Sequence, residues 1–358
     1  MSGKIAMVLS GFPRRSETFA LNEVWALEQR GALAAIFATK AGEPVATQPS
    51  SQALLGRVQV LTECEGPPQA EEVIRLLGGT RVSAIHGYFA HAPAEVAELV
   101  SMQLGIPFGF SVHARDARKV APEILSARAR KAACVVACNR DVAGELQDSG
   151  AQVHLVPHGV DLERFAPQPF PETRPLQLLA VGRLVEKKGF HVLIQAAARL
   201  RVPFQLDIIG EGPEEQRLAE LIRVHSLGSK VRLCGPKTHD DLPKVYGRAH
   251  VLVAPSIVDR AGDRDGLPNV VLEAMACGRP VIASDVAALG SAVIHEQTGL
   301  LTAPGNPESL ASAIELLANQ QSMLGELGMR ARVLVEREYD VQRCTERFHN
   351  LLRSAYAC

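Results

Sequence analysis

Residues 255–285 read PSIVDRAGDRDGLPNVVLEAMACGRPVIASD, and this stretch decides the fold. An apolar run at 251–254 leads into a polar loop rich in Gly and Asp, which ends at Leu267-Pro268-Asn269. A helical pattern follows, with Val270, Val271, Leu272, Ala274 and Met275 apolar, and Gly278 stops it. Pro280-Val281-Ile282-Ala283 then starts another strand. Strand, loop, helix and strand make a βαβ unit, and the long loop leaving its first strand is a place where parallel sheets carry ligands. Two acids stand here, Asp265 in the loop and Glu273 on the helix. Apolar neighbours flank Glu273, so its carboxylate either faces solvent or is held for a partner such as a sugar hydroxyl. A helical acid near an N-terminus is favourable even without a ligand.

The same alternation extends in both directions. Upstream, strands are expected at 176–181, 204–209 and 231–234, with helices at 190–200, 214–225 and 241–248; a helix at 307–319 follows downstream. The first half predicts strands at 4–10, 32–38, 58–61, 82–86, 107–112, 133–137 and 153–156. Helices are expected at 16–31, 70–77, 93–104, 122–130 and 139–149, with 40–57 a surface connection. Repeated alternation of this kind predicts an α/β chain with doubly wound parallel sheets. Five prolines, Pro157, Pro167, Pro169, Pro171 and Pro175, read as a semi-rigid connection between two domains. The expected organisation is a Rossmann-like domain over 1–160, a linker over 161–175 and a second Rossmann-like domain over 176–338. The sheet edges would then face across a cleft. The tail, 323–356, is helical with a break near Glu338-Tyr339-Asp340.

Composition narrows the function. With 47% hydrophobic and 22% charged residues, the chain is an ordinary globular protein, and its net charge of -1 gives no field for nucleic acid. Aromatics are 4%, with Trp25 the single Trp, too few for a base-stacking platform. No run spans a membrane and the start is unlike a signal peptide. Seven scattered cysteines, among them Cys134, Cys234 and Cys277 inside apolar runs, point to a reducing compartment, the cytoplasm. Cys134 and Cys138 have no His or Cys nearby to complete a metal set, and no metal is expected.

The second chemical signal is Val181-Gly182-Arg183-Leu184-Val185-Glu186-Lys187-Lys188-Gly189, where a strand ends, cations follow and a helix begins. A helix N-terminus already favours anions, so cations placed there suggest an anionic ligand. Arg183 can grip phosphate oxygens with two N–H groups and Lys188 adds a compact charge. Gly210 and Gly235, the latter before Pro236, end two further strands where bare backbone can approach a ligand. GxxxxGK[ST] is absent and no GxGxxG follows the first strand, which speaks against a nucleoside triphosphatase or a common dehydrogenase. In the first half, Gly11 follows a strand, and His113 follows another with Arg115 and Asp116 beside it. His86 and His91 stand at a further strand end, with structural or acceptor-side roles, and His158 shapes a turn.

Together these stretches resemble glycosyltransferase family 4, retaining enzymes of the GT-B fold. The resemblance rests on VPHGVDLERF at 156–165, VGRLVEKKGF at 181–190, IGEGPE at 209–214 and DGLPNVVLEAMACGRPVIAS at 265–284. FPRRSETFALNEVWALEQRG at 12–31 and HGYFAHAPAEVA at 86–97 are similar to the subgroup that makes exopolysaccharides of the colanic acid type. The resemblance implies that Arg183 and Lys188 hold the diphosphate of a nucleotide sugar and stabilise the leaving group. It implies that Glu273 bonds the ribose and Asp265 the donor sugar. Asp265 stands where the family has Glu, one methylene longer. Gly11, Gly182, Gly210, Gly235, Pro236, Gly266, Leu267, Pro268 and Asn269 would line the donor, and His113 would meet the transferred sugar. Acceptor choice falls to Arg14, Glu17 and His86, within or near 12–19 and 88–91. The first domain would be the acceptor domain, completed by 339–358 crossing back to it, and 176–338 the donor domain.

The activity implied is transfer of a hexose-type sugar from a UDP-sugar or GDP-sugar, a co-substrate, to a hydroxyl of a glycan, a lipid-linked glycan or a small molecule. The hydroxyl would attack on the face the diphosphate leaves. No cofactor, no nucleic acid and at most peripheral contact with the inner membrane face are expected. Two rivals differ in class. A nucleotide-sugar epimerase of this fold would need catalytic acids in the first domain, and a two-domain solute receptor would need no basic phosphate loop.

Overall fold

The computed structural model describes residues 3–14, 17–43, 49–113, 118–172 and 175–356. The chain divides into two compact units, Met1–Gly159 with Val341–Cys358, and Val160–Asp340. In the first, β1 (Ile5–Phe12), α1 (Thr18–Gln29), β2 (Leu33–Ala41), α2 (Pro49–Leu55), β3 (Val58–Val60) and α3 (Pro67–Leu77) come in turn. They are followed by β4 (Ala84–Gly87), α4 (Ala92–Leu104), β5 (Phe108–Val112), α5 (Pro122–Lys131), β6 (Cys134–Ala137), α6 (Arg140–Gly144) and β7 (Val153–Leu155). Among the described residues its sheet has seven strands in the order β3-β2-β1-β4-β5-β6-β7, every pair parallel.

The second unit runs β8 (Leu176–Val181), α7 (Phe190–Ala197), β9 (Phe204–Ile209), α8 (Glu215–Val224), β10 (Val231–Leu233), α9 (Leu242–Gly247) and β11 (Val251–Ala254). It continues with α10 (Asn269–Ala276), β12 (Val281–Ser284), β13 (Gly299–Thr302), α11 (Pro307–Asn319) and α12 (Gln321–Glu338). The sheet is parallel again, in the order β10-β9-β8-β11-β12-β13. A last helix, α13 (Val341–Ala355), belongs to the first unit.

Both sheets are covered on both faces. Along β1, Ala6 and Val8 enter one apolar cluster while Ile5, Met7 and Leu9 enter the other, as a period of two demands. Strands buried on both sides read as unbroken apolar runs, which is why β4, β6, β11 and β12 were visible in the sequence. Many prolines open helices instead of breaking them, at the first turns of α3, α4, α5, α9 and α11.

Some expectations are corrected. The region 40–57 contains α2, and the helix expected over 139–149 is α6 followed by a single 3₁₀ turn at Gln147–Ser149, Gly144 weakening the middle. β13 was not foreseen. The proline-rich stretch packs within the second unit over residues 161–172. Phe165 is buried, and Arg279, with no exposed surface, donates to the carbonyls of Gln168 and Pro169 at 3.0 and 2.7 Å. The same guanidinium donates to Tyr246 O at 3.0 Å and lies over the Phe170 ring at 4.5 Å. A proline-rich backbone has few N–H groups but every carbonyl, and a guanidinium supplies the missing donors.

Candidate functional site

Strand order reverses between β1 and β4 and between β8 and β11. Ligands of open α/β sheets bind outside the carboxyl ends of the strands at such points. At the second, the loops after β8 and β11 are built against each other. Gly182 donates from its N–H to Ile209 O at 2.9 Å, and Gly210 to Gly235 O at 3.0 Å. Gly210 has φ 148°, and a Cβ there would stand 1.9 Å from the Gly182 carbonyl oxygen. Gly189, at φ 65°, would put a Cβ 1.8 Å from the Pro255 carbonyl oxygen, and Ile257 N–H donates to Lys187 O at 2.8 Å. Only glycine fits either place, whether or not a ligand comes.

Charged side chains fill the seam between these loops. Lys188 Nζ lies 2.9 Å from Asp265 Oδ2, and the Ser256 hydroxyl donates to the same oxygen at 3.0 Å. Lys187, the more buried lysine, sets its Nζ 3.0 Å from Asp263 Oδ2 and 3.7 Å from Asp265 Oδ1. Burial alone would raise the pKa of Asp265, yet Lys188, by charge and hydrogen bond, holds it below the ordinary carboxylate value, with help from Lys187 and Ser256. So the lysines, read as cations awaiting an outside anion, are balanced by acids of the protein itself. Arg183 is exposed, with no carboxylate partner among the described residues.

Glu273 does not face solvent. Only 4% of it is exposed, the Tyr246 hydroxyl donates to its Oε2 at 2.8 Å, and His239 Nε2 lies 3.6 Å from Oε1. Gly266, Leu267, Pro268 and Asn269 form the half-buried turn into α10, Gly235 ends the loop edge at φ 64°, and Pro236 is exposed. Lys187, Ser256, Tyr246 and His239 escaped the sequence reading. Lys187 was visible as the first lysine of EKKG; the other three are brought in by folding.

In the first unit, Gly11 lies inside β1, opposite Lys40, and not beyond the strand as expected. A small pocket there is lined by Gly11, Phe12, Arg14, Glu17 and Phe89, with Arg14 Nη1 2.8 Å from Glu17 Oε1. His113 follows β5, is buried, and packs its ring near those of Phe19, Tyr88, Phe89 and His158. Arg115 and Asp116 lie outside the described residues. His86 is no surface group: it is fully buried, with Nδ1 2.7 Å from the Tyr356 hydroxyl and Nε2 2.9 Å from Ser111 Oγ. Burial first, then the neighbouring His113, pushes its pKa down to about 3, so the ring is neutral. It fastens the residue that follows α13 to the sheet.

His158 also does more than shape a turn. Its Nδ1 lies 2.8 Å from Glu23 Oε1, and Glu23 accepts from the Tyr88 hydroxyl at 2.5 Å. Burial opposes its charge, yet Glu23 beside it, with a contact to the Cys138 thiol, pushes its pKa from 6.5 up to about 10. A raised value means stability that is fully present below pH 6.5 and is lost as pH rises toward about 10. Unfolding followed by Trp25 fluorescence, which reports α1 and the first unit, should show stability declining across that window. In His158→Phe the decline should be absent.

Residues 16–164 match the family model described as Glycosyltransferase Family 4, and 162–333 match that described as Glycosyl transferases group 1. The chain belongs to the group 1 and family 4 glycosyltransferases. Its fold is GT-B: HepE of Anabaena, crystallised in complex with UDP, superposes with a TM-score of 0.82 at 18% identity, covering 98% of this chain and 100% of that one. WcaL of Escherichia coli (strain K12), named for colanic acid biosynthesis, is 33% identical over 221 residues, 59% of this glycosyltransferase-family chain and 54% of its own. AmsK, the amylovoran biosynthesis glycosyltransferase of Erwinia amylovora, is 32% identical over 170 residues, 47% and 42% of the two chains. The chain spans about half the length of these curated relatives. Among its described residues no helix is long and apolar enough to cross a membrane, and no group of three or more His, Cys, Asp or Glu converges for a metal.

Proposed function

We propose that the chain transfers a hexose-type sugar from a nucleoside-diphosphate sugar to a hydroxyl acceptor with retention of configuration. The observation that carries this is the seam at the β8/β11 switch point, where Arg183, Lys188 and Asp265 stand on two interlocked loops. Arg183 and Lys188 would take the diphosphate and balance the charge that grows on it as the sugar departs. Lys188 would exchange Asp265 for phosphate, and Asp265, still held by Lys187 and Ser256, would receive a sugar hydroxyl. The second loop lysine offsets the shorter acid by fixing where its carboxylate lies. Glu273 keeps Oε2 on Tyr246 and would offer Oε1 to the ribose hydroxyls.

The acceptor hydroxyl would then attack on the side the diphosphate leaves, giving its proton to the leaving oxygen. Both site carboxylates are already engaged, Asp265 by cations and Glu273 by a phenol, which supports this route over a covalent sugar on an acid. Uridine is favoured over guanosine because crystals of HepE hold UDP and UDP-glucose. The names of WcaL and AmsK favour a growing or lipid-linked glycan as acceptor. Cys134 and Cys277, buried in apolar surroundings and outside any disulfide, fit work in the cytoplasm.

Titration with UDP and with UDP-glucose tests the assignment. The unaltered protein should bind both, and Asp265→Ala should lose affinity for UDP-glucose about tenfold more than for UDP. Equal losses would take Asp265 off the sugar. A product of inverted anomeric configuration would sink the proposed route.

A further inference from the structure

A deeply buried acid of the first unit has no part in the reaction as described above. Glu23 sits on the inner face of α1 with 5% of its surface exposed. A carboxylate so placed costs several kcal/mol in desolvation unless it is fully engaged. It is engaged twice: Oε2 accepts from the Tyr88 hydroxyl at 2.5 Å, and Oε1 meets His158 Nδ1 at 2.8 Å. Both partners are rings, and both rings face the same third ring. The centroid of Tyr88 lies 5.2 Å from that of His113, and the centroid of His158 lies 5.1 Å away with the planes 12° apart. Phe19 backs the arrangement, stacked on His158 at 4.2 Å and 5.2 Å from His113.

We propose that Glu23 is a positioning residue for His113: by holding Tyr88 with one oxygen and His158 with the other, it fixes the two rings that set the orientation of the His113 imidazole. This rests on the glycosyl-transfer reading, in which His113 meets the transferred sugar. An imidazole that bonds a sugar must present one edge at one angle, and packing against apolar rings alone leaves it free to slide. Two hydrogen bonds to one carboxylate remove that freedom from its neighbours. The arrangement also fixes charge. With Glu23 opposite, His158 is held as the imidazolium. The other titratable groups facing this set are Cys138, beside His158, Glu17 near Tyr88, and His86, whose two nitrogens are bound to Tyr356 and Ser111.

Glu23→Gln keeps the size and the hydrogen-bonding reach while removing the charge. It should lower kcat on the order of 10²-fold with the donor KM little changed, as for a misplaced site group. It should also move the pH dependence tied to the His158 charge from near pH 10 to below the ordinary imidazole range, because burial then meets no opposing carboxylate. Tyr88→Phe, which removes one of the two bonds without adding a polar group, should give a smaller loss and keeps the test open if the glutamine variant does not fold. Imidazole ¹H–¹⁵N spectra give a readout independent of turnover: in Glu23→Gln the His158 signals should report the neutral ring at pH 8 and those of His113 should shift. Unmoved His113 signals, or an unchanged rate and pH profile in a folded Glu23→Gln, would overturn the proposal. Shifted His113 signals in a protein that turns over no nucleotide sugar would leave the clamp standing and sink the transfer reading alone.

Discussion

Lys188→Ala is expected to lower kcat on the order of 10³-fold, as when a main donor to a developing anion is removed. The diphosphate gains negative charge as the sugar leaves, and Lys188 stands in the 3₁₀ turn before α7, next to Gly189, which packs tightly on Pro255. Its side chain is only 14% exposed, so the charge acts in a setting where water screens it little. Folding should survive, because Asp265 keeps Lys187 at 3.7 Å and the Ser256 hydroxyl at 3.0 Å when Lys188 is gone. Arg183→Ala should also cost most of the turnover, but less than Lys188→Ala, since the guanidinium is exposed. Steady-state rates with a UDP-sugar and a suitable hydroxyl acceptor measure both. Turnover in Lys188→Ala within threefold of the unaltered protein would remove the lysine from the leaving group.

Arg279→Met should have the largest effect on stability, about 3–5 kcal/mol, since several buried carbonyls each lose a donor at about 1–3 kcal/mol apiece. The guanidinium is bound by carbonyls and not by a carboxylate: Tyr246, Gln168 and Pro169 accept at 2.7 to 3.0 Å, with Gly247 further out at 3.3 Å. Methionine fills the volume but leaves those oxygens buried with no donor. Tyr246 is the donor to Glu273, so the variant should also weaken nucleotide binding at temperatures where the fold persists. Arg279→Lys should recover only a small part, because an ammonium lacks the planar fork that spans three carbonyls. Urea unfolding followed by far-ultraviolet circular dichroism measures the loss. A change below about 1 kcal/mol would show that water replaces the guanidinium at no cost.

Much of the architecture was legible because buried parallel strands are written as unbroken apolar runs and helices as a 3.6-residue pattern between glycines. β13 was not, since Gly299–Thr302 is four residues long and follows a polar turn. The hold on the prolines at 167, 169 and 171 was not legible, because composition tells how stiff a segment is, not whether a guanidinium elsewhere will bind its carbonyls. In the site, the positions of Arg183, Lys188, Asp265 and Glu273 stood out by motif and order. What the carboxylates do before any ligand arrives did not. The partner of Glu273 is a tyrosine 27 positions away on α9, and the partner of His158 is an acid 135 positions away on α1. His86, read with structural or acceptor-side roles, bonds Ser111 on β5 and, just past the final helix, Tyr356.

That partner sets an order of assembly. His86 and Tyr356 are 270 positions apart, and Phe348 and Leu352 of α13 belong to the same apolar cluster as β1. A ribosome adding roughly 5–20 residues per second delivers the whole second unit before it delivers this helix. Residues 160–340 can therefore finish folding while the first sheet, made earlier, still has a bare flank and a buried imidazole lacking one bond. The half synthesised first is expected to be completed last. During that interval it is the part of the nascent chain most exposed to aggregation and most in need of a chaperone.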